Sequence, residues 1–223
     1  MNRVVVDIET IGFEMETLDE ISKQYLSKLA EREEGLLDGL GFSPLTGEIV
    51  AIGMLDVDRD RGAVYFQAPD VEPIKFEEKG IKFVSDTEAG ILNRFWSAVK
   101  NFDQIITFNG RAFDAPFLIV RSAVHHIKPT TVIMPNRYHS TRHIDLYDLL
   151  NFYGAVRRRF NLHMWCRVFG IKSPKEDGIT GYEVKELFTN KQYKDIARYC
   201  LGDLIATKEL YMYWHNYIRY AVE

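Results

Sequence analysis

Apolar residues fall along this 223-residue chain in two distinct rhythms, and each predicts its own kind of element. Val4 to Ile8 is a short β-branched run that reads as a buried strand, and Glu48 to Val57 and Gly62 to Gln67 read as two more. Asp58-Arg59-Asp60-Arg61 between the latter two reads as a hairpin connection. From Thr87 to Lys100 the apolar positions Ile91, Leu92, Phe95, Trp96 and Val99 recur at helical spacing, and Gln104 to Phe108 is strand-like again. Asn109-Gly110 makes a turn before a helix from Phe113 to Val124. Farther on, Ile144 to Phe152, Asn161 to Phe169 and about Lys191 to Tyr217 read as helices, the first of them able to open as a strand. Strands first and then strand-helix alternation indicate a mixed α/β domain without an internal repeat or a linker, hence one domain over residues 1–223. Leu18, Ile21, Tyr25 and Leu29 recur at three- and four-residue intervals, so Thr17 to Arg32 is an amphipathic helix. It belongs to an added helical segment, residues 13–43, and is expected to pack on the sheet edge.

Composition narrows the class. A 46% hydrophobic chain of this length buries a real core. No run approaches the roughly 18 apolar residues of a membrane span, and MNRVVVDIET lacks the regions of a secretory signal, so a soluble cytoplasmic protein with no membrane partner is expected. Cys166 and Cys200 have no C-x-x-C spacing and read as reduced, buried thiols. A net charge of −4 argues against a protein that coats DNA electrostatically, but leaves room for an enzyme that grips a strand end while its acids hold cations.

The candidate chemistry lies in three acid-bearing segments. Asp7-Ile8-Glu9 ends the first strand, where a period of two puts both carboxylates on one face about 7 Å apart, able to converge on one hard cation. The same D-x-E occurs at Asp86-Thr87-Glu88, but there it precedes a helix, where acids are expected to cap. In Phe108-Asn109-Gly110-Arg111-Ala112-Phe113-Asp114 a strand ends, a turn follows and an acid opens the next helix. That spacing is also met by Asn190 and Asp195. In Tyr199-Cys200-Leu201-Gly202-Asp203 the tyrosine and aspartate share a helix face with Ile196, Thr207 and Leu210, and an acid in a semi-apolar stripe is explained by metal ligation.

Taken together, VVVDIET, ITFNGRAFDAPFL and YCLGDLIATKELY resemble, in order and spacing, the three motifs of the DEDD superfamily of 3′-5′ exonucleases on a ribonuclease H-like fold. The run from Lys172 through DGITGYEVKELF to ARYCLGD most resembles the predicted exonucleases related to the proofreading domain of family B DNA polymerases. The resemblance implies a mixed sheet flanked by helices and two divalent cations, Mg²⁺ or Mn²⁺ since the donors are oxygens. It further implies that Asp7 bridges both ions, that Glu9 and Asp203 complete the site activating water, and that Asp114 holds the second ion. The histidine branch of the superfamily places His five residues before the last aspartate. Here that position is Arg198, and Tyr199 stands four before, which makes the chain the tyrosine type, with Tyr199 orienting the attacking water. His143 to Asp148 offers a rival H-x4-D, but it comes too soon after Asp114; His143 and Asp145 are expected to serve in hydrogen bonding or capping.

The implied partner is nucleic acid with a free 3′ end, single-stranded DNA favoured over RNA. Thr10, Asn109 and Phe113 are candidates for contacting the terminal nucleotides, with Phe113 equally placed to be core. Arg157, Arg158, Arg159, Lys172 and Lys175 are candidates for phosphates, against the plainer reading of a solvated basic surface. Three alternatives stay open: an exoribonuclease of the same chemistry, a catalytically silent nucleic-acid-binding module on this fold, and a partner-binding protein that uses the Thr17 to Arg32 helix.

Overall fold

The computed structural model describes residues 1–138, 142–174 and 183–221. Its centre is a seven-stranded mixed sheet formed by β1 (Arg3–Gly12), β2 (Gly47–Asp56), β3 (Gly62–Phe66), β4 (Lys75–Glu78), β5 (Ile81–Ser85), β6 (Gln104–Thr107) and β7 (His143–Asp145), in the spatial order β4-β5-β3-β2-β1-β6-β7. β1 runs antiparallel to β2 and parallel to β6, and β7 continues the parallel side. The helices are α1 (Glu20–Ala30), α2 (Glu88–Val99), α3 (Asp114–Val124), α4 (Leu146–Leu150), α5 (Leu162–Phe169), α6 (Val184–Thr189) and α7 (Tyr193–Tyr213). This is a ribonuclease H-like arrangement, a mixed sheet flanked by helices.

Burial on both faces explains why the central strands read as unbroken apolar runs. Val4, Val6 and Ile8 of β1 pack with Ile91, Leu92, Phe95 and Trp96 of α2 and with Phe117 and Leu118 of α3. Val5 and Ile11 turn to the other face, where Ile196, Cys200, Leu204 and Leu210 of α7 cover the sheet. Thr87 caps α2, its hydroxyl accepting the Gly90 amide hydrogen at 3.2 Å, and Asn161 caps α5 by accepting from Met164 at 3.2 Å.

Three differences from the sequence reading have physical causes. The strands β4 and β5 went unread because KFEE and IKFVS are short and interrupted by charges; β4 is an edge strand with Lys75 and Glu77 exposed, as edge strands require. Their connection is a turn at Lys79 and Gly80, both with positive φ (50° and 82°). The final helix leaves α geometry at Tyr213 and continues as a π turn over Trp214–Ile218. Finally, α1 packs on its own connecting segment and not on the sheet edge: Leu18, Leu26 and Leu29, with the exposed Ile21 and Tyr25, line a cleft of about 600 Å³ whose other wall is Leu36, Leu40 and Leu45. Among the described residues no helix is long and apolar enough to cross a membrane.

Candidate active site

The sheet brings the three acid-bearing segments together at the middle of β1: the strand does not end at Glu9 as its apolar run suggests, but continues to Gly12 by pairing with β2. Asp7 pairs in register with Gly53 of β2, and Glu9 with Ala51, immediately before a register shift between Glu9 and Thr10. Pairing resumes beyond the shift, Thr10 opposite Ile49 and Gly12 opposite Gly47, so the irregularity is a local bulge in a continuing strand, a common device beside functional sites. α3 begins at Asp114, whose carboxylate reaches back to accept the Ile8 amide hydrogen at 3.1 Å. α7 lies over the same strand: the Cys200 thiol faces the Asp7 carbonyl oxygen at 3.8 Å, and a hydrogen bond joins Tyr199 to Asp203.

Electrostatics bind these groups into one site. Burial raises the Asp7 carboxyl well above the ordinary carboxylate range, and the charges of Asp203, Glu9 and Asp114 push it further. Glu9, 6% exposed, is raised in the same way by burial and then by Asp203 and Asp114. Asp114 is raised to about 7 by burial, although its own amide and that of Ile8 favour the charged form. The Tyr199 phenol is raised too, by burial and then by Asp203, Glu9 and Asp7, so it stays protonated at neutral pH.

Such mutual repulsion is what a divalent cation relieves. The fit is supported by the donors themselves: Asp7 and Glu9 oxygens and the Cys200 sulfur lie within 4.8 Å of one another, and Asp7 Oδ2 is buried without a hydrogen-bond partner. Cys200 was absent from the sequence-derived ligand set. The signal was its place inside Tyr-x3-Asp, one residue after Tyr199, but as a thiol beside hard oxygen donors it suits packing better than Mg²⁺.

The residues around this cluster divide. Asn109 takes a left-handed conformation (φ 64°), and Asp145 accepts its amide hydrogen at 2.9 Å together with those of Arg111 at 2.8 Å and Tyr147 at 3.0 Å, so Asp145 fixes the turn that leads to Asp114. His143 is a buried linker: Nδ1 faces the Ile133 carbonyl at 2.8 Å and so carries the proton, leaving Nε2 to accept from the Thr107 hydroxyl at 2.8 Å. Thr10 donates its hydroxyl hydrogen to the Gly41 carbonyl at 2.7 Å. Phe113 is half-buried, packed on Phe117 and edge-on to the exposed Phe42 at 6.4 Å between centroids. Arg157, Arg158 and Arg159 lie exposed between α4 and α5, and Lys172 is exposed after α5. Lys175 and the segment DGITGY lie outside the described residues.

Of the other D-x-E, Glu88 is no helix-capping acid. It is buried between α2 and α3, where it accepts from Arg121 at 2.9 and 2.6 Å and from the Ile49 amide at 2.8 Å, and faces His125 Nε2 at 2.7 Å.

Comparison with known proteins agrees with this architecture. The chain is 18% identical to the family B DNA polymerase of the hyperthermophilic archaeon Pyrobaculum calidifontis, with a TM-score of 0.63 over 96% of this chain and 24% of that one. It is 27% identical over 194 residues to the catalytic subunit of DNA polymerase epsilon from Schizosaccharomyces pombe, an alignment that spans 82% of this chain and only 8% of that protein. The family of predicted 3′-5′ exonucleases related to the exonuclease domain of PolB matches residues 48–221, which takes in Asp114, Tyr199 and Asp203. Asp7 and Glu9 precede the matched region and join the site through β1. With more than half of its length matched, the chain belongs to this family of predicted exonucleases related to the exonuclease domain of PolB.

Proposed function

We propose that the protein is a metal-dependent 3′-5′ exonuclease of the tyrosine type that removes nucleotides from the 3′ end of nucleic acid, with single-stranded DNA the favoured substrate. The observation that carries this reading is the meeting of the buried Glu9 and Asp114 with the half-buried Asp7 and Asp203 in one mutually repelling cluster beside a protonated Tyr199. Asp7, Glu9 and Asp203 would hold one divalent cation, and Asp7 with Asp114 the other; Mg²⁺ or Mn²⁺ suits the oxygen donors. When bound, the ions supply charge compensation for the leaving oxygen and a more acidic water. Tyr199 would orient the attacking water through its phenol oxygen, whose single hydrogen is given to Asp203, and does not act as a base, because its phenol ionises only far above neutral pH. Asp114 keeps β1 in register with α3 through Ile8, so the two halves of the acid cluster hold their separation.

The DNA preference rests on the polymerase-related family, and residues 13–43 are read as a helical addition to a single domain. The test is incubation of end-labelled single-stranded DNA and RNA with Mg²⁺ or Mn²⁺, comparing wild type with Asp7→Ala. Expected is a ladder shortening from the 3′ end that vanishes in the variant. Internal cleavage, shortening from the 5′ end, or wild-type turnover by Asp7→Ala would overturn the reading.

A further inference from the structure

The geometry points to a second nucleic-acid subsite, distinct from the acid cluster: Tyr138 and Tyr153 form a stacking platform for the bases of a single strand that lies upstream of the 3′ end. This rests on the exonuclease reading and deepens it. The two rings meet at 5.3 Å between centroids with their planes at 56°, yet 72% of Tyr138 and 40% of Tyr153 stay exposed. A pair that merely filled core would be covered.

The backbone holds Tyr153 outward at some cost. Phe152 and Tyr153 both adopt left-handed conformations (φ 50° and 53°), and Gly154 follows at φ 98°. Consecutive left-handed L-residues are disfavoured and persist only where their surroundings fix them. Asn151 does so: its side-chain amide donates to the Tyr147 carbonyl at 2.7 Å, and its carbonyl accepts from Gly154 at 3.0 Å and Val156 at 3.1 Å. The tip of this loop presents Phe152, Tyr153 and Phe160, all more than a third exposed, on either side of Arg157, Arg158 and Arg159. Aromatic faces interleaved with cations are what single-strand recognition uses, the rings for bases and the arginines for phosphates.

The platform is also wired to the active site. Arg111, whose amide shares Asp145 with Asn109, donates from its guanidinium to the carbonyls of Pro135 (2.9 Å) and Asn136 (3.4 Å), which Arg137 separates from Tyr138. A cavity of about 350 Å³ lies between, lined by Asn109, Arg111, Met134, Arg137, Tyr147 and Arg159. Asp148 in its wall is paired with Arg137 at 2.6 and 2.9 Å, and Asp145 accepts from three amides, so both carboxylates are engaged by the protein and repel a passing phosphate less. A strand entering over the tyrosines would pass this cavity and reach the turn that leads to Asp114.

The experiment uses the full chain in EDTA, with anisotropy of 5′-labelled oligothymidylates about 4 and about 12 nucleotides long, sizes that bracket single-strand site sizes. Tyr138→Ala and Tyr153→Ala should each weaken binding of the longer strand about tenfold and of the shorter one less than about twofold, the range of one lost stacked base. Tyr138→Phe, which keeps the ring, should bind like wild type. The salt dependence should be unchanged in the tyrosine variants and shallower when Arg157, Arg158 and Arg159 are replaced by Ala. Unchanged affinity for the longer strand, equal losses at both lengths, or no binding at all would overturn the platform. Cleavage of labelled DNA by the same wild-type protein in Mn²⁺ tests the exonuclease reading separately: cleavage without a tyrosine effect sinks only the platform, and a tyrosine effect without cleavage sinks only the exonuclease.

Discussion

The Asp114 carboxylate accepts the amide hydrogen of Ile8, the residue between Asp7 and Glu9, across 106 positions of sequence. One oxygen therefore ties the second acid-bearing segment to the backbone of the first. Asn in place of Asp114 keeps an acceptor there, while Ala leaves a buried amide unsatisfied, which costs about 1–3 kcal/mol. Both variants are expected to lose turnover, but only Asp114→Ala should melt lower than wild type in metal-free buffer, by about 2–4 °C per kcal/mol. Equal melting temperatures for the two variants would show that the bond to Ile8 contributes nothing.

The same carboxylates set the response to pH and cations. Their folded-state values are raised, to about 7 for Asp114 and well above the ordinary range for Asp7 and Glu9, against about 4 in the unfolded chain. Stability from such groups is fully present below about pH 4 and is lost as pH climbs through the folded values. Metal-free protein should thus lose stability relative to Asp7→Asn as pH rises from about 4 through about 7, on the order of 5 °C in melting temperature, and Mn²⁺ should restore it at the upper end of that range. Taking the difference from the variant cancels His143, whose value is lowered to about 4, chiefly by burial, and whose contribution runs the opposite way, fading as pH falls below 6.5. If the difference is flat with pH and indifferent to Mn²⁺, the acids are not an ion site.

What the sequence made legible follows from what each signal measures. Period-two and period-3.6 patterns report which face an element buries, and so β1, α3 and α7 could be read with the acids on them. Those patterns carry no information about partners across the sheet. Nothing local to Glu88 distinguishes a first-turn acid from one that meets Arg121, 33 residues away, because both begin a helix after Thr87. The amphipathic α1 was recognised for the same reason that its docking was misjudged: its stripe demanded a partner, and residues 36–45 supplied one before the sheet edge did. Tyr138 and Tyr153 are 15 positions apart in irregular chain, where no period exists to connect them.

Glu88 and Arg121 form a buried pair, 5% and 9% exposed in their side chains. Burial alone would raise the Glu88 carboxyl, but Arg121, His125 and the Ile49 amide together hold it below its usual value. The Arg121 guanidinium also sits over the Phe13 ring, 5.4 Å from its centroid, just beyond the end of β1. Glu88→Ala strands that guanidinium in the core, at about 3–5 kcal/mol, and should lower the melting temperature by on the order of 10 °C. The double variant Glu88→Leu/Arg121→Met removes both charges and should recover most of that loss. A single variant that melts with wild type would mean that Arg121 finds water or another acid.

Gly53 stands opposite Asp7 on β2, and a Cβ there would fall 2.6 Å from Leu204 Cδ1 and 2.7 Å from Cys200 Sγ. Both neighbours are fully buried, so neither side chain has room to swing aside. Glycine at this position is what lets α7 approach the sheet closely enough to lay Tyr199 and Asp203 against Asp7 and Glu9. Gly53→Ala is expected to lift α7, and since a displacement of about 1 Å in a catalytic group can cost about 100-fold, turnover should fall further than the modest loss of melting temperature suggests. Adding Leu204→Ala reopens the space: Gly53→Ala/Leu204→Ala should regain part of the turnover while remaining less stable than wild type, because a buried leucine has been lost. Steady-state hydrolysis and thermal melts on the two variants separate these effects. If Gly53→Ala keeps wild-type turnover, the close approach of α7 is packing alone and the acid cluster tolerates a looser fit.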